Sequence, residues 1–223
     1  MTEQFLAGPP DEWSLGGPGR AQRIVLEAVP VDPPGMVAEQ HRAGLRAVRA
    51  ALRRAGSPVT TVGHRPGGTP LVCPGGFAAS LTHTTELAVA AVAPGVRAIG
   101  VDLEARFPEP RLHRFLLDES ERDLLWHGDR AGLRRLFAAK EAAFKALSDC
   151  GRAHGGLFWR VRLRRHEDRL WARAGDQYAL IRDVVVPAFA FAVAVRVDSP
   201  PAPLPRLFES GTTAAMAAGR SAP

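Results

Sequence analysis

Apolar and polar positions divide the chain into segments with two kinds of period. Ile24, Leu26 and Ala28 alternate with Val25, Glu27 and Val29, which predicts a strand over Arg23 to Val31. Pro33-Pro34-Gly35 terminates it. Met36 to Ala55 predicts a helix with Met36, Val37, Ala43, Leu45, Val48 and Leu52 on its apolar side, and Gly56 stands at its C-cap. Val59 to Val62 predicts a short strand, followed by a Gly- and Pro-rich loop from His64 to Pro70. Phe77 to His83 and Leu87 to Val92 predict two strands around a turn at Thr84-Thr85-Glu86. Ala98 to Glu104 reads as a strand whose end alternates charge with Leu103. Arg111 to Leu117 predicts a helix, and Asp118 or Ser120 can cap a second one through Trp126. A longer helix is predicted from about Ala131 to Leu147. Leu157 to Leu163, Arg169 to Arg173, Tyr178 to Val185 and Ala188 to Val197 then read as antiparallel strands. Residues 1–22 lack periodicity and predict a loose leader; residues 199–223, rich in Pro, Ala and Gly, predict a disordered tail.

Two of these segments carry chemistry. A strand sends residues i and i+2 to one face, so Asp102 and Glu104 point together while Leu103 turns to the core. Paired carboxylates repel unless a proton or cation lies between them. A Mg²⁺ ion takes one or two carboxylates and keeps its other positions for water and phosphate. On the long helix, Leu133, Leu136, Phe137, Lys140, Phe144 and Leu147 follow i, i+3, i+4 spacing. Lys140 thus falls within an apolar stripe, where an ammonium needs water or an anion. Glu141 sits about 100° round the helix, and Lys145 shares its face.

Charge and composition narrow the function classes. The chain has 223 residues, 46% of them hydrophobic, which suffices for one domain or two small ones. No apolar run is long enough to cross a membrane, and no signal pattern opens the chain, so a cytoplasmic protein is expected. Cys73 and Cys150 have no metal-ligand spacing. The net charge of +6 favours an anionic partner: phosphate, nucleic acid or an acidic protein. A nucleic-acid binder would interleave aromatic residues with its basic ones, yet aromatics are 7% and the arginines are scattered.

Gly100-Val101-Asp102-Leu103-Glu104, followed by Phe137-Ala138-Ala139-Lys140-Glu141-Ala142-Ala143-Phe144-Lys145, resembles the signature pair of the 4′-phosphopantetheinyl transferases. Ser80-Leu81-Thr82-His83 resembles that family's Ser-x-Ser/Thr-His element, and His41-Arg42 its early His-Arg pair. The resemblance covers roughly residues 40 to 195. It is to the two-half, monomeric type that serves siderophore, polyketide or nonribosomal peptide synthesis. It implies an α/β (α+β) fold of two pseudo-symmetric halves, each a helix on a small, mostly antiparallel sheet, with the active site in the cleft between. The expected division is 23–97 for coenzyme A binding and 98–198 for Mg²⁺ binding and catalysis.

The implied activity moves the phosphopantetheine arm of coenzyme A to a serine of an acidic acyl or peptidyl carrier protein, releasing 3′,5′-ADP. Asp102, Glu104 and Glu141 are the implied Mg²⁺ ligands. Glu141, directly or through a metal-bound water, accepts the serine proton, and Lys145 stabilises phosphate charge. Thr82 and His83 are expected on the 3′-phosphate, with Arg42 and Arg46 as further coenzyme A contacts. The family's Gly-x-Pro loop appears as Gly68-Thr69-Pro70 without its base, and Arg65 could supply that charge. Arg152 could replace the lysine of a Lys-Gly pair. Two readings stand for Lys140: orienting Glu141 or a phosphate, or a buried pair with an acid. Rival functions are a non-catalytic relative that binds coenzyme A or carrier, and a basic nucleic-acid-binding protein.

Overall fold

Alternating strands and two long amphipathic helices build two sheets, each covered on one face by a helix. The computed structural model describes residues 12–17, 20–64, 71–73, 75–148, 157–202 and 204–209. The strands are β1 (Glu12–Gly17), β2 (Arg20–Pro30), β3 (Gly63–His64), β4 (Leu71–Val72), β5 (Phe77–His83), β6 (Leu87–Pro94), β7 (Ile99–Glu104), β8 (Arg162–His166), β9 (Arg169–Ala174), β10 (Gln177–Val186) and β11 (Phe189–Val197). One sheet runs β1-β2-β6-β5, the other β7-β11-β10-β9-β8, and β3 pairs with β4. The described pairings are antiparallel. The fold is therefore α+β with two sheets. The helices are α1 (Val37–Arg54), α2 (His113–Leu116) after a 3₁₀ turn at Pro110–Leu112, α3 (Glu119–Leu125), α4 (Arg130–Leu147), α5 (Leu157–Arg160) and α6 (Leu204–Glu209).

Side-chain alternation assigns each sheet two apolar faces. Ile24 and Leu26 of β2, Val89 of β6, Val101 and Leu103 of β7 and Phe191 of β11 share one buried cluster between the sheets. Val25 and Val92 turn the other way, against Ala47, Val48, Ala51 and Leu52 of α1. On the second sheet, Ala190, Ala192 and Ala194 face α4, which buries Ala138, Ala139, Ala142, Ala143 and Ala146 there. Small residues on both sides let helix and strand approach closely. Gly100 is the extreme case: a Cβ there would stand 1.9 Å from the Ala142 carbonyl oxygen and 2.8 Å from the Ala146 nitrogen. Both are backbone atoms, so relief requires α4 to move. Gly100→Ala is expected to cost about 1–3 kcal/mol or more and to reduce turnover, checked by urea unfolding beside an activity assay.

Four sequence expectations change. β1 and the start of β2 run through the supposed leader, because β1 pairs with β2 from Glu12↔Val25 to Gly17↔Arg20. Val59 to Val62 is not a strand, and the short β3 follows it. Leu157–Arg160 is a helical turn, so the strand begins only at Arg162. Within the supposed tail, α6 buries Leu204 and Phe208 in the inter-sheet cluster. That contact supplies an apolar anchor that residue composition does not register. Residues 210–223 lie outside the described residues.

Candidate active site

The two sheets meet at their edges, β5 on one and β7 on the other. Hydroxyl side chains make the junction. The Val101 N–H donates to Ser80 Oγ at 3.1 Å, and Thr82 Oγ1 donates to Asp102 Oδ1 at 3.2 Å. Across the same strand lies α4, brought close by Gly100. Lys145 Nζ donates to Asp102 Oδ1 at 2.7 Å and to the Val101 carbonyl at 2.9 Å. Both side-chain contacts load one carboxylate oxygen. Asp102 Oδ2 is buried with no hydrogen-bond partner among the described residues.

Glu104 and Glu141 complete an acidic group around this point. Burial, then the charges of Asp102 and Glu141, push the Glu104 pKa up to about 8, while Lys145 pulls it down. Burial and Asp102 raise that of Glu141, again against Lys145. Each carboxylate thus feels the others. Among the described residues no group of three His, Cys, Asp or Glu side chains is placed so that it could hold a metal ion as it stands. The donor chemistry nevertheless fits a hard cation: oxygen ligands only, mutual repulsion to relieve, and a bare buried Asp102 Oδ2.

His83 closes β5 on the exposed side of the junction. Desolvation of its ring, then the Lys145 charge, lower its pKa. It lines an open cleft of about 550 Å³ with Gln40, Thr85, Leu103, Glu104 and Arg106. Residues of both sheets and of α1 therefore share one cavity, beside the acidic group.

Several expected contacts fall elsewhere. Lys140 is not a coenzyme A contact: its Nζ is buried, 2.8 Å from Glu121 Oε2 and 2.5 Å from the Leu116 carbonyl. The helix periodicity that put Lys140 on the apolar stripe also turns it away from Glu141. Thr82 does not face the cleft either; it is 7% exposed and its hydroxyl is committed to Asp102. Arg42 pairs with Glu39 at 2.7 Å, and Arg46 with Asp32 at 3.0 Å and the Pro30 carbonyl at 3.1 Å. Neither arginine is among the residues lining the cleft beside His83. Arg65, Gly68, Thr69, Pro70 and Arg152 lie outside the described residues.

Sequence reasoning passed over Glu121 and Arg134. Glu121 is the N3 residue of a capping box with Asp118, a pattern readable as Asp-x-x-Glu. Arg134 shares the helix face of Glu141, seven residues earlier. Its buried guanidinium lies 4.1 Å from the Phe107 ring centroid and feels the charge of Glu104.

Strand β7 and helix α4 carry three acids and a lysine at one point, and a comparison with protein families covers both elements. Residues 98–180 match the 4′-phosphopantetheinyl transferase superfamily. No curated protein matches the chain. The superfamily match is a likeness over that stretch of the chain. It includes Asp102, Glu104, Glu141 and Lys145, and begins after Thr82 and His83. No helix among the described residues is long and apolar enough to cross a membrane.

Proposed function

We propose that this protein transfers the 4′-phosphopantetheine arm of coenzyme A to a serine of an apo acyl or peptidyl carrier protein and releases 3′,5′-ADP. The observation that carries the reading is the grouping of Asp102, Glu104, Glu141 and Lys145 beside a cleft that Glu104 and His83 line. Asp102, Glu104 and Glu141 are the residues to hold Mg²⁺, which when bound neutralises charge on the pyrophosphate. The carrier serine oxygen attacks the phosphorus that bears the pantetheine arm. The bond from that phosphorus to the bridging oxygen breaks, and 3′,5′-ADP leaves with the electron pair. Glu141 is the residue to accept the serine proton, directly or through a metal-bound water. Lys145 is 24% exposed, so it can turn from Asp102 toward phosphoryl oxygens. His83 lies at the cleft and holds the 3′-phosphate. The positive net charge suits an acidic carrier. The reading divides the chain as 23–97 for coenzyme A and 98–198 for catalysis, in a cytoplasmic monomer.

The test is incubation with coenzyme A, Mg²⁺ and a panel of apo carriers, followed by weighing each carrier. One carrier should gain the mass of the arm, and chelation of Mg²⁺ should prevent it. If every carrier keeps its mass and no 3′,5′-ADP forms, the transferase reading falls. His83→Ala should raise the Michaelis constant for coenzyme A by roughly tenfold or more, the scale of a hydrogen bond to a charged group. The constant for 3′-dephospho coenzyme A should hardly change. Equal losses with both would return His83 to a structural role.

A further inference from the structure

We propose that Thr82 is a positioning residue for Asp102, so that the first sheet sets the metal affinity of a carboxylate on the second. The inference rests on the Mg²⁺ reading above. It departs from the sequence expectation, which put Thr82 on the 3′-phosphate.

Three observations carry it. Alternation along β5 separates neighbours: His83 points to the cleft, and Thr82 is turned inward and 7% exposed. The Thr82 hydroxyl has one proton, and it is directed at Asp102 Oδ1 at 3.2 Å. A phosphate in the cleft would have to break that bond and enter a buried space. The second observation is the choice of oxygen. Thr82 and Lys145 both contact Oδ1, and Oδ2 is left buried and bare. This orients the carboxylate with one oxygen held and one presented. The third is the difference between the two holders. Lys145 has a long, partly exposed side chain that can swing to a phosphate, whereas Thr82 is short, β-branched and buried. When Lys145 leaves, Thr82 still holds Asp102. Ser80 supports the arrangement from two residues earlier by accepting the Val101 N–H, which pins the backbone that carries Asp102. Residues 98–180 therefore contain the acidic group but not the side chain that orients it.

The experiment uses Mn²⁺ as the probe, titrated into the full-length protein without coenzyme A and read by the paramagnetic signal of free Mn²⁺. Thr82→Val keeps the shape and removes the donor; Thr82→Ser keeps the donor. Partners of this kind typically contribute about 10–100-fold to metal affinity. Thr82→Val should weaken Mn²⁺ by that scale, and Thr82→Ser should restore most of it. The ratio of dissociation constants for coenzyme A and 3′-dephospho coenzyme A should stay at the wild-type value in both. If Thr82→Val does not fold, Thr82→Cys, a weak donor of similar size, carries the same comparison. Unchanged Mn²⁺ affinity overturns the inference, and a collapsed coenzyme A ratio with it would make Thr82 a phosphate ligand. A wild-type protein that binds no Mn²⁺ overturns the metal reading and this inference together, an outcome distinct from the variant failing alone.

Discussion

Asp102→Ala is expected to abolish the proposed phosphopantetheinyl transfer in a protein that stays folded. Asp102 is the point where the second sheet, helix α4 and strand β5 meet, through Lys145 and Thr82. It is also the acid whose charge acts on both Glu104 and Glu141. On the proposed Mg²⁺ reading, removing it takes one oxygen ligand from a set of three. Charge stabilisation at a metal-assisted phosphoryl transfer is worth several kcal/mol. At tenfold per about 1.4 kcal/mol, the loss is on the order of a thousandfold or more. Stability should suffer far less. Lys145 keeps the Val101 carbonyl as an acceptor, and the variant removes a repulsion that now raises Glu104 and Glu141. The check is a melting curve beside kcat measured from limiting to saturating Mg²⁺. A folded Asp102→Ala protein with near-normal turnover at limiting Mg²⁺ would sink the metal assignment.

Lys140→Met has the opposite profile: a large loss of stability with little effect on the handling of coenzyme A. Lys140 and Glu121 form a pair whose side chains are 4% and 0% exposed. Glu121 also accepts the Leu163 N–H at 2.6 Å and the Asp118 N–H at 2.7 Å, and Lys140 donates to the Leu116 carbonyl. The pair therefore ties α4 to the end of α2, the start of α3 and strand β8. Removing one partner leaves a buried charge without its counter-ion, which costs about 3–5 kcal/mol. For a chain of this size the melting point should fall by roughly 10 °C. Burial already lowers the Lys140 pKa, opposed by the Glu121 charge, which is the expected signature of an ammonium dependent on one acid. Glu121→Gln/Lys140→Met should lose less than the sum of its two single variants, measured as a double-mutant cycle by urea unfolding. Below the melting range, the Michaelis constant of Lys140→Met for coenzyme A should match the wild type. A Lys140→Met protein of normal stability, or one with selectively weakened coenzyme A binding, would restore the ligand role that periodicity left open.

Local periodicity was enough to determine β7, α4 and which of their charged groups share a face. Strand alternation alone puts Asp102 and Glu104 on one face, and helical spacing puts Glu141 and Lys145 on one face, because both rules depend only on backbone geometry. The cap at Asp118 or Ser120 was legible from residue type, and the structure settles on Asp118 with Glu121 as its capping-box partner. Partner choice was not. Lys140 needed an acid, but any acid of the chain satisfies that demand, and only packing brings Glu121 to it from nineteen residues away. Thr82 and His83 are adjacent and equally polar; the meeting of β5 with the edge of β7 decides that one holds Asp102 and the other faces the cleft. Gly100 reads as an ordinary strand glycine until the Ala142 carbonyl is placed where its Cβ would be. Likewise, β1 and α6 lie in stretches whose composition predicts disorder, and each is held by a distant surface: a strand edge for one, an apolar pocket between sheets for the other. The sequence by itself determined which groups are present and which neighbours share a face. Only the tertiary structure decided which faces meet, because that depends on long-range packing of both sheets at once, and no local period encodes it.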